Sequence, residues 1–488
     1  MMKGLNQIKN TSKQIFNWNV CLLLLALLIF ALNQLPFLLD IRPIKYDEAW
    51  YLNPAYNLLN GNGLVNDLVG SGGNVNYIGP MLLAGVMALF GQSLLVARLT
   101  AVFCGFVAIL VLHLILNELN VDKRARILTF AIFLSITIIN SVFRNVRPEF
   151  AVAIFVLIGL LFAIRYSRTH TWLDMAGLSI SIYLASCSHP FSLYLFALIG
   201  CALLWKIIQN KEWKCIYQLI LPILSAVLVV ITMIYLNKFL NSATDSSGIM
   251  HRFSVENALE AMCISMKSVF VRHGVYTIPF LLVNVFSVVK YKEIRWLASI
   301  NIIFVFTFPI VFSSDLHMVG NSILYFSLGS LVVCGYTINQ IFCHAKITYK
   351  QQMLTLCCIS LFCLGNYVLS MGYNFHRYEK CNSILATEID AIIPDDVLIF
   401  GSIRFWPFKM HARWFCEMNR KNEVPNIYDY LIISSQDISS DDNLNPKILK
   451  VILNTLDEYD IIYTRETKQY GLISIYKYNN INDEHPIQ

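Results

Sequence analysis

Apolar stretches long enough to cross a hydrocarbon core recur from Val20 to Ser370, and they constrain this chain more than any motif does. Each holds about 17 to 24 residues, against the roughly 20 that a membrane-spanning helix needs. Short turns bearing Lys and Arg punctuate them, so the chain reads as an α-helical polytopic membrane protein. Composition agrees: 56% of the 488 residues are hydrophobic and 14% are charged, where a soluble domain carries about 25% charge. The net charge of +6 falls mostly in short loops, where basic residues set membrane orientation. It is therefore no nucleic-acid footprint. Most of the 13 cysteines lie in apolar runs and act there as small hydrophobes. No CxxC and no Cys/His spacing typical of a zinc site is present. Cys381 and Cys416 lie in a polar tail, where an oxidising compartment would let them pair.

Lys3, Lys9 and Lys13 precede the first run and hold residues 1–18 in the cytoplasm. Val20 to Leu39 is too long for a signal-peptide core and reads as a retained anchor. Alternating loop charge then predicts about eleven spans, near residues 19–39, 94–116, 127–143, 150–166, 172–187, 191–208, 216–236, 275–289, 296–312, 322–342 and 352–370. Residues 19–370 thus form a transmembrane domain, with 40–93 as its first external loop. Ile78 to Phe90 is too short to span and suits an interfacial or re-entrant helix. From 371 to 488 the chain turns polar. Short strand patterns at Val397–Gly401, Tyr430–Ile433, Ile461–Tyr463 and Leu472–Tyr476, with helical patterns at Leu385–Ile393 and Pro446–Leu456, predict a small external α/β domain.

The stretch Tyr46-Asp47-Glu48-Ala49-Trp50-Tyr51 sets two adjacent carboxylates among aromatic rings where the first span emerges. Acids are costly inside the membrane and mark a mouth, a cavity or a working site. A carboxylate here can take a proton from an acceptor, and Tyr46, Trp50 and Tyr51 offer flat faces on which a sugar packs. Arg147-Pro148-Glu149 opens the fourth span: an arginine fork fits phosphate oxygens, and Glu149 can orient it or bind the acceptor. His189 at another outer turn, Arg252 in the long seventh-to-eighth loop and His317 with Asp315 in a further outer turn would add donors around an anionic leaving group. Tyr325 follows two helical turns beyond. No set of side chains calls for a metal, and metal dependence stays open.

These features resemble the GT-C superfamily of membrane glycosyltransferases, and within it the branch holding protein O-mannosyltransferases and lipid A aminoarabinose transferases. The likeness rests on Tyr46–Tyr51 after the first span, on Pro80–Leu83 through Leu89-Phe90-Gly91 with Ala97-Arg98-Leu99, and on Arg147-Pro148-Glu149. The eleven-span plan with an external tail completes it. The resemblance implies inverting transfer of a hexosyl or pentosyl group from a polyprenyl-phosphate donor to a lipid, glycan or protein acceptor on the outer face of the inner (plasma) membrane. Asp47 would be the base or acceptor-orienting acid, with Arg147 and His189 near the donor phosphate. Two features of the branch are missing. Asn76-Tyr77-Ile78-Gly79-Pro80 lacks the Glu-Lys pair before the prolines, and Leu324-Tyr325 stands where relatives place Arg-Tyr.

Two other classes fit an outline of this kind. A transporter or flippase of lipid-linked glycans needs ionisable groups near the bilayer midplane and favours repeat symmetry; mid-span charge is scarce here and no repeat is found. A non-catalytic assembly protein would use the tail to bind a partner and would tolerate loss of the Asp47 carboxylate.

Overall fold

A computed structural model describes residues 2–36, 38–40, 44–68, 76–240, 258–312, 322–344, 348–376, 381–416, 425, 427–435 and 455–479. The apolar runs fold as helices, because in lipid a helix satisfies every backbone polar group within its own segment. In chain order these begin with α1 (Met2–Gln34), α2 (Tyr46–Leu59), α3 (Ile78–Phe90), α4 (Leu94–Glu118), α5 (Lys123–Ser135), α6 (Thr137–Val142), α7 (Glu149–Thr169), α8 (Trp172–Ser188) and α9 (Ser192–Gln209). Further helices follow at Ile220–Leu240, Ala258–Lys267, Gly274–Lys290, Arg295–Val311, Ser322–His344 and Tyr349–His376.

Among the described residues six helices are long and apolar enough to cross a membrane, or seven if the bent pair Leu259–Arg272 and Gly274–Lys290 is one span: Leu94–Glu118, Glu149–Thr169, Ser192–Gln209, Trp213–Tyr235, Ile323–Cys343 and Tyr349–Leu369. The other five runs counted among the eleven are not among these six: the first is an apolar helix only over Trp18–Gln34. The third breaks at Ile136 into α5 and α6. Helices α8, Gly274–Lys290 and Arg295–Val311 hold 17 residues each, about 25 Å against a core of about 30 Å. Gly274–Lys290 also meets Leu259–Arg272 at a 103° bend. Length and composition thus support six or seven spans among the described residues, and the full count of eleven is not established.

Polar side chains join the helices where no hydrophobic force can. Asn301 donates to Asn284 Oδ1 at 2.9 Å, Asn284 donates to Ser330 Oγ at 2.8 Å, and Ser287 pairs with Thr337 at 2.7 Å. Gly329 lets Asn301 come in: a Cβ there would sit 2.2 Å from Asn301 Oδ1. Helix α3 runs from Ile78 to Phe90 as the sequence predicts. It buries Gly79, Pro80, Leu83, Ala84 and Met87 along one face, while Met81, Leu89 and Phe90 stay exposed.

The tail carries the helix Asn382–Ile392 and five strands, β1 (Leu398–Gly401), β2 (Arg413–Phe415), β3 (Tyr430–Ser434), β4 (Tyr459–Thr467) and β5 (Gly471–Tyr478). Their order is β2-β1-β3-β5-β4, with β1 parallel to β2 and β3 and the remaining pairs antiparallel. Four strands were legible in sequence; β2, only three residues long, was not. The expected helix at Pro446–Leu456 lies largely outside the described residues. Cys381 and Cys416 are both buried.

The sheet does not stand apart from the bundle. One continuous apolar cluster links Leu38, Ile44 and Leu52 to Leu385, Phe405, Trp406 and Tyr470. Tyr470, in the β4–β5 turn, accepts from the Ile44 amide at 2.7 Å and donates to Asn382 Oδ1 at 2.8 Å. Gln469 donates to the Asp40 carbonyl at 2.9 Å, and Asn382 to that of Leu39 at 2.7 Å. The segment leading into Asp47 is therefore clamped by the tail. Tyr470→Phe strands two buried polar partners, each costing about 1–3 kcal/mol. It is expected to lower the apparent melting temperature in detergent.

Candidate active site

Helix α2 starts at Tyr46 because Lys45 is extended and the Glu48 side chain turns back to accept from the Lys45 amide at 3.2 Å. Carboxylates in a first turn also meet the positive end of the helix dipole. Successive helical residues point about 100° apart, so Asp47 and Glu48 diverge. Glu48 turns inward and is fully buried, whereas the Asp47 side chain remains 49% exposed.

Glu48 is fully engaged. Arg98 Nε donates to Oε1 at 3.0 Å and Nη2 to Oε2 at 2.8 Å, and the Val146 amide donates to Oε1 at 3.2 Å. Arg98 spends Nη1 on the carbonyls of Leu38 and Leu39 at 2.9 and 2.8 Å. Burial alone would raise the Glu48 pKa, but the Arg98 charge and these donors hold it below the ordinary value of 4.5. One ion pair thus ties α2 to α4, to the end of α1 and to the turn before α7.

That turn delivers Arg147, and Pro148 then starts α7 at Glu149. Arg147 Nη2 lies 3.3 Å from Asp47 Oδ2 and 3.0 Å from Glu149 Oε1. Burial would lower the Arg147 pKa; the Glu149 and Asp47 charges outweigh it and keep the guanidinium ionised. Two atoms in this cluster are buried without a hydrogen-bond partner: Glu149 Oε2 and Arg147 Nε. Tyr51, one turn past Asp47, accepts from Asn76 Nδ2 at 3.3 Å. Burial and the Glu149 and Asp47 charges push its phenol above the ordinary range, so it stays neutral.

His189 caps α8, and its Nδ1 lies 3.4 Å from the Tyr325 hydroxyl, both residues being buried. Tyr325 is within electrostatic reach of Glu149. The fold therefore gathers Asp47, Tyr51, Arg147, Glu149, His189 and Tyr325 from four separate segments. Tyr46 and Trp50 go elsewhere. Tyr46 stacks beneath the Arg404 guanidinium at 4.0 Å, and half-buried Trp50 packs on the core while its carbonyl accepts from Asn66. Arg252 and His317 lie outside the described residues.

Sequence reasoning gave Arg98 no structural part, although an arginine in the second turn of an apolar helix signals a buried partner. Tyr470 carried no local signal at all, since its role exists only once the tail docks.

The carboxylates outnumber the cation in this cluster, one Arg147 against Asp47 and Glu149. Such an arrangement can draw a proton from a hydroxyl and favours positive charge developing on a bound group. Buried charges also sit near helix ends: Arg98, Arg126, Glu149 and Asp174 each fall in the first or second turn of a helix.

No protein-family model matches this sequence, and no curated protein matches it. Its fold, however, matches that of ArnT from Cupriavidus metallidurans bound to undecaprenyl phosphate, with a TM-score of 0.64 at 12% identity over 94% of this chain and 98% of that one. The apo form of the same protein gives 0.64 at 11% identity over the same shares. Over half of the chain there is also a match to the S. cerevisiae protein O-mannosyltransferase Pmt1–Pmt2 complex bound to the sugar donor. That match has 14% identity, covers 36% of that chain and has a TM-score of 0.37, too slight to define a shared fold. The chain is thus a helical membrane protein with the ArnT fold.

Proposed function

We propose that this protein is an inverting glycosyltransferase of the inner membrane, moving a sugar from a polyprenyl-phosphate donor to a lipid, glycan or protein acceptor on the outer face. The observation that carries the reading is the Asp47–Arg147–Glu149 cluster, assembled on the same end of the bundle as the docked tail. The fold shared with ArnT, a protein crystallised with undecaprenyl phosphate, supports a polyprenyl-phosphate donor.

Asp47 is the half-exposed carboxylate and acts as the base. It takes the acceptor hydroxyl proton as the acceptor oxygen forms its bond to the anomeric carbon. The bond from that carbon to the phosphate oxygen breaks on the opposite face, and its electron pair leaves with polyprenyl phosphate. Positive charge grows on the sugar ring in such a transition state, and the unpartnered Glu149 oxygen offers compensation. Arg147 fixes both carboxylates, and its free Nε, with His189, faces the leaving phosphate. Arg252 and His317 would add positive charge from the outer loops. Glu48, with all its acceptor sites taken, positions Asp47 instead of reacting.

A cavity of about 460 Å3 suits the polyprenyl chain. Ile132, Val283, Ile338 and Phe362 line it, and Arg272 and His273 stand at the helix bend beside it. Val283→Trp, which fills it, is expected to raise donor KM at least tenfold with little change in kcat.

The test is release of labelled polyprenyl phosphate by purified protein given acceptor extract. Arg147→Ala is expected to lower kcat/KM by about 100-fold, the scale of losing one charge-stabilising donor. Unchanged turnover in that variant would remove the cluster from the reaction.

A further inference from the structure

We propose that His170, Glu212 and Cys215 form a binding site for a zinc-class divalent cation at the end of α7 remote from Asp47. Helix α7 has 21 residues and is therefore about 30 Å long, so this site is separate from the transfer chemistry. One ligand atom from each of the three side chains lies within 4.8 Å of the others. Imidazole nitrogen, thiolate sulfur and carboxylate oxygen are the donor set that zinc takes, usually as four-coordinate tetrahedral sites. A neutral imidazole, one carboxylate and one thiolate also balance a doubly charged ion, the thiol proton passing to water on binding.

The backbone prepares this arrangement. Residue 170 caps α7 in the left-handed region, at φ 51°, which turns the chain back toward the end of α9. Glu212 caps a 3-10 helix, Trp213–Leu219, that contains Cys215 and Gln218. With about three residues per turn, positions 212, 215 and 218 share one face. Tyr166 packs edge-on against His170 at 5.4 Å and donates to the Cys215 carbonyl at 3.5 Å, fixing both.

His170 Nε2 and Glu212 Oε2 are 2.9 Å apart, an ion pair when the imidazole is protonated, and a bound cation would replace that proton by taking both atoms as ligands. The buried His170 Nδ1 has no hydrogen-bond partner. Gln218 Oε1, buried and unpartnered on the same helical face, is available as a fourth oxygen, or water completes the shell. Bound metal would staple the α7–α8 turn to the α9 end.

The experiment uses full-length protein in detergent, with any affinity tag removed, stripped by chelator and reloaded with Zn(II) or Co(II). Wild type is expected to retain one metal per chain through gel filtration, and its Co(II) form to show a thiolate charge-transfer band. Cys215→Ser loses that band, and His170→Ala with Cys215→Ser retains no metal. If the double variant elutes as aggregate, Glu212→Gln serves in its place and weakens Zn(II) binding at least tenfold. Wild type without stoichiometric metal, or a band that survives Cys215→Ser, overturns the proposal. Donor turnover is expected to be unchanged in all these variants.

Discussion

Arg98→Ala abolishes accumulation of folded protein, and Glu48→Ala does nearly the same. Arg98 is 2% exposed and Glu48 not at all, and removing one partner of a buried pair costs about 3–5 kcal/mol because the other charge stays buried alone. For many proteins that is a large part of total stability. The double variant Arg98→Met with Glu48→Leu recovers part of the loss, since no lone charge remains. Recovery is incomplete, because the carbonyls of Leu38 and Leu39 and the amides of Lys45 and Val146 lose their partners. Gel filtration in detergent and apparent melting temperature rank the three variants. The pH dependence has a definite sign. Glu48 is held below its unfolded value of 4.5, so its contribution is fully present above that value. It declines as the pH falls from there through the lower folded value. Glu48→Gln, which does not ionise, flattens this acid limb of the melting profile.

Asp47→Asn has the opposite character: little effect on stability and a large one on turnover. The side chain is half-exposed and its contact to Arg147 is a single 3.3 Å pair, and exposed pairs contribute about 0–1 kcal/mol. Arg147 keeps Glu149 at 3.0 Å, so the site holds its shape. Loss of a general base costs about 10²–10⁴ in rate. Transfer is therefore expected to fall by that factor in kcat at nearly unchanged donor KM. A non-catalytic assembly protein would show no such split.

Much of this was legible beforehand, for reasons that can be named. Apolar length gave α4, α7 and α9, and the 13-residue run gave α3. The cost of charge near lipid singled out Asp47, Arg147 and Glu149, and the fold brings them together. Adjacent residues were harder to tell apart. Asp47 and Glu48 look equivalent in a string, yet a 100° turn sends one to solvent and the other to Arg98, 50 residues on. Aromatic neighbours misled in the same way: Tyr51 joins the cluster while Tyr46 stacks on Arg404, 358 positions away. The span count is not settled where helices break or bend, at Ile136 and before Gly274, since hydropathy averages across such kinks. The His170–Glu212–Cys215 cluster had no sequence signal, because its first ligand lies 42 residues from the second.

The most direct measurement supplies purified wild-type protein in lipid nanodiscs with a panel of radiolabelled polyprenyl-phosphate sugars, and with nucleotide sugars as controls. One lipid-linked donor is expected to bind saturably and to be consumed with stoichiometric release of polyprenyl phosphate, nucleotide sugars are expected to be inert, and Asp47→Asn is expected to bind the donor without consuming it. Folded protein that neither binds nor consumes any lipid-linked donor would contradict a polyprenyl-phosphate-dependent transferase.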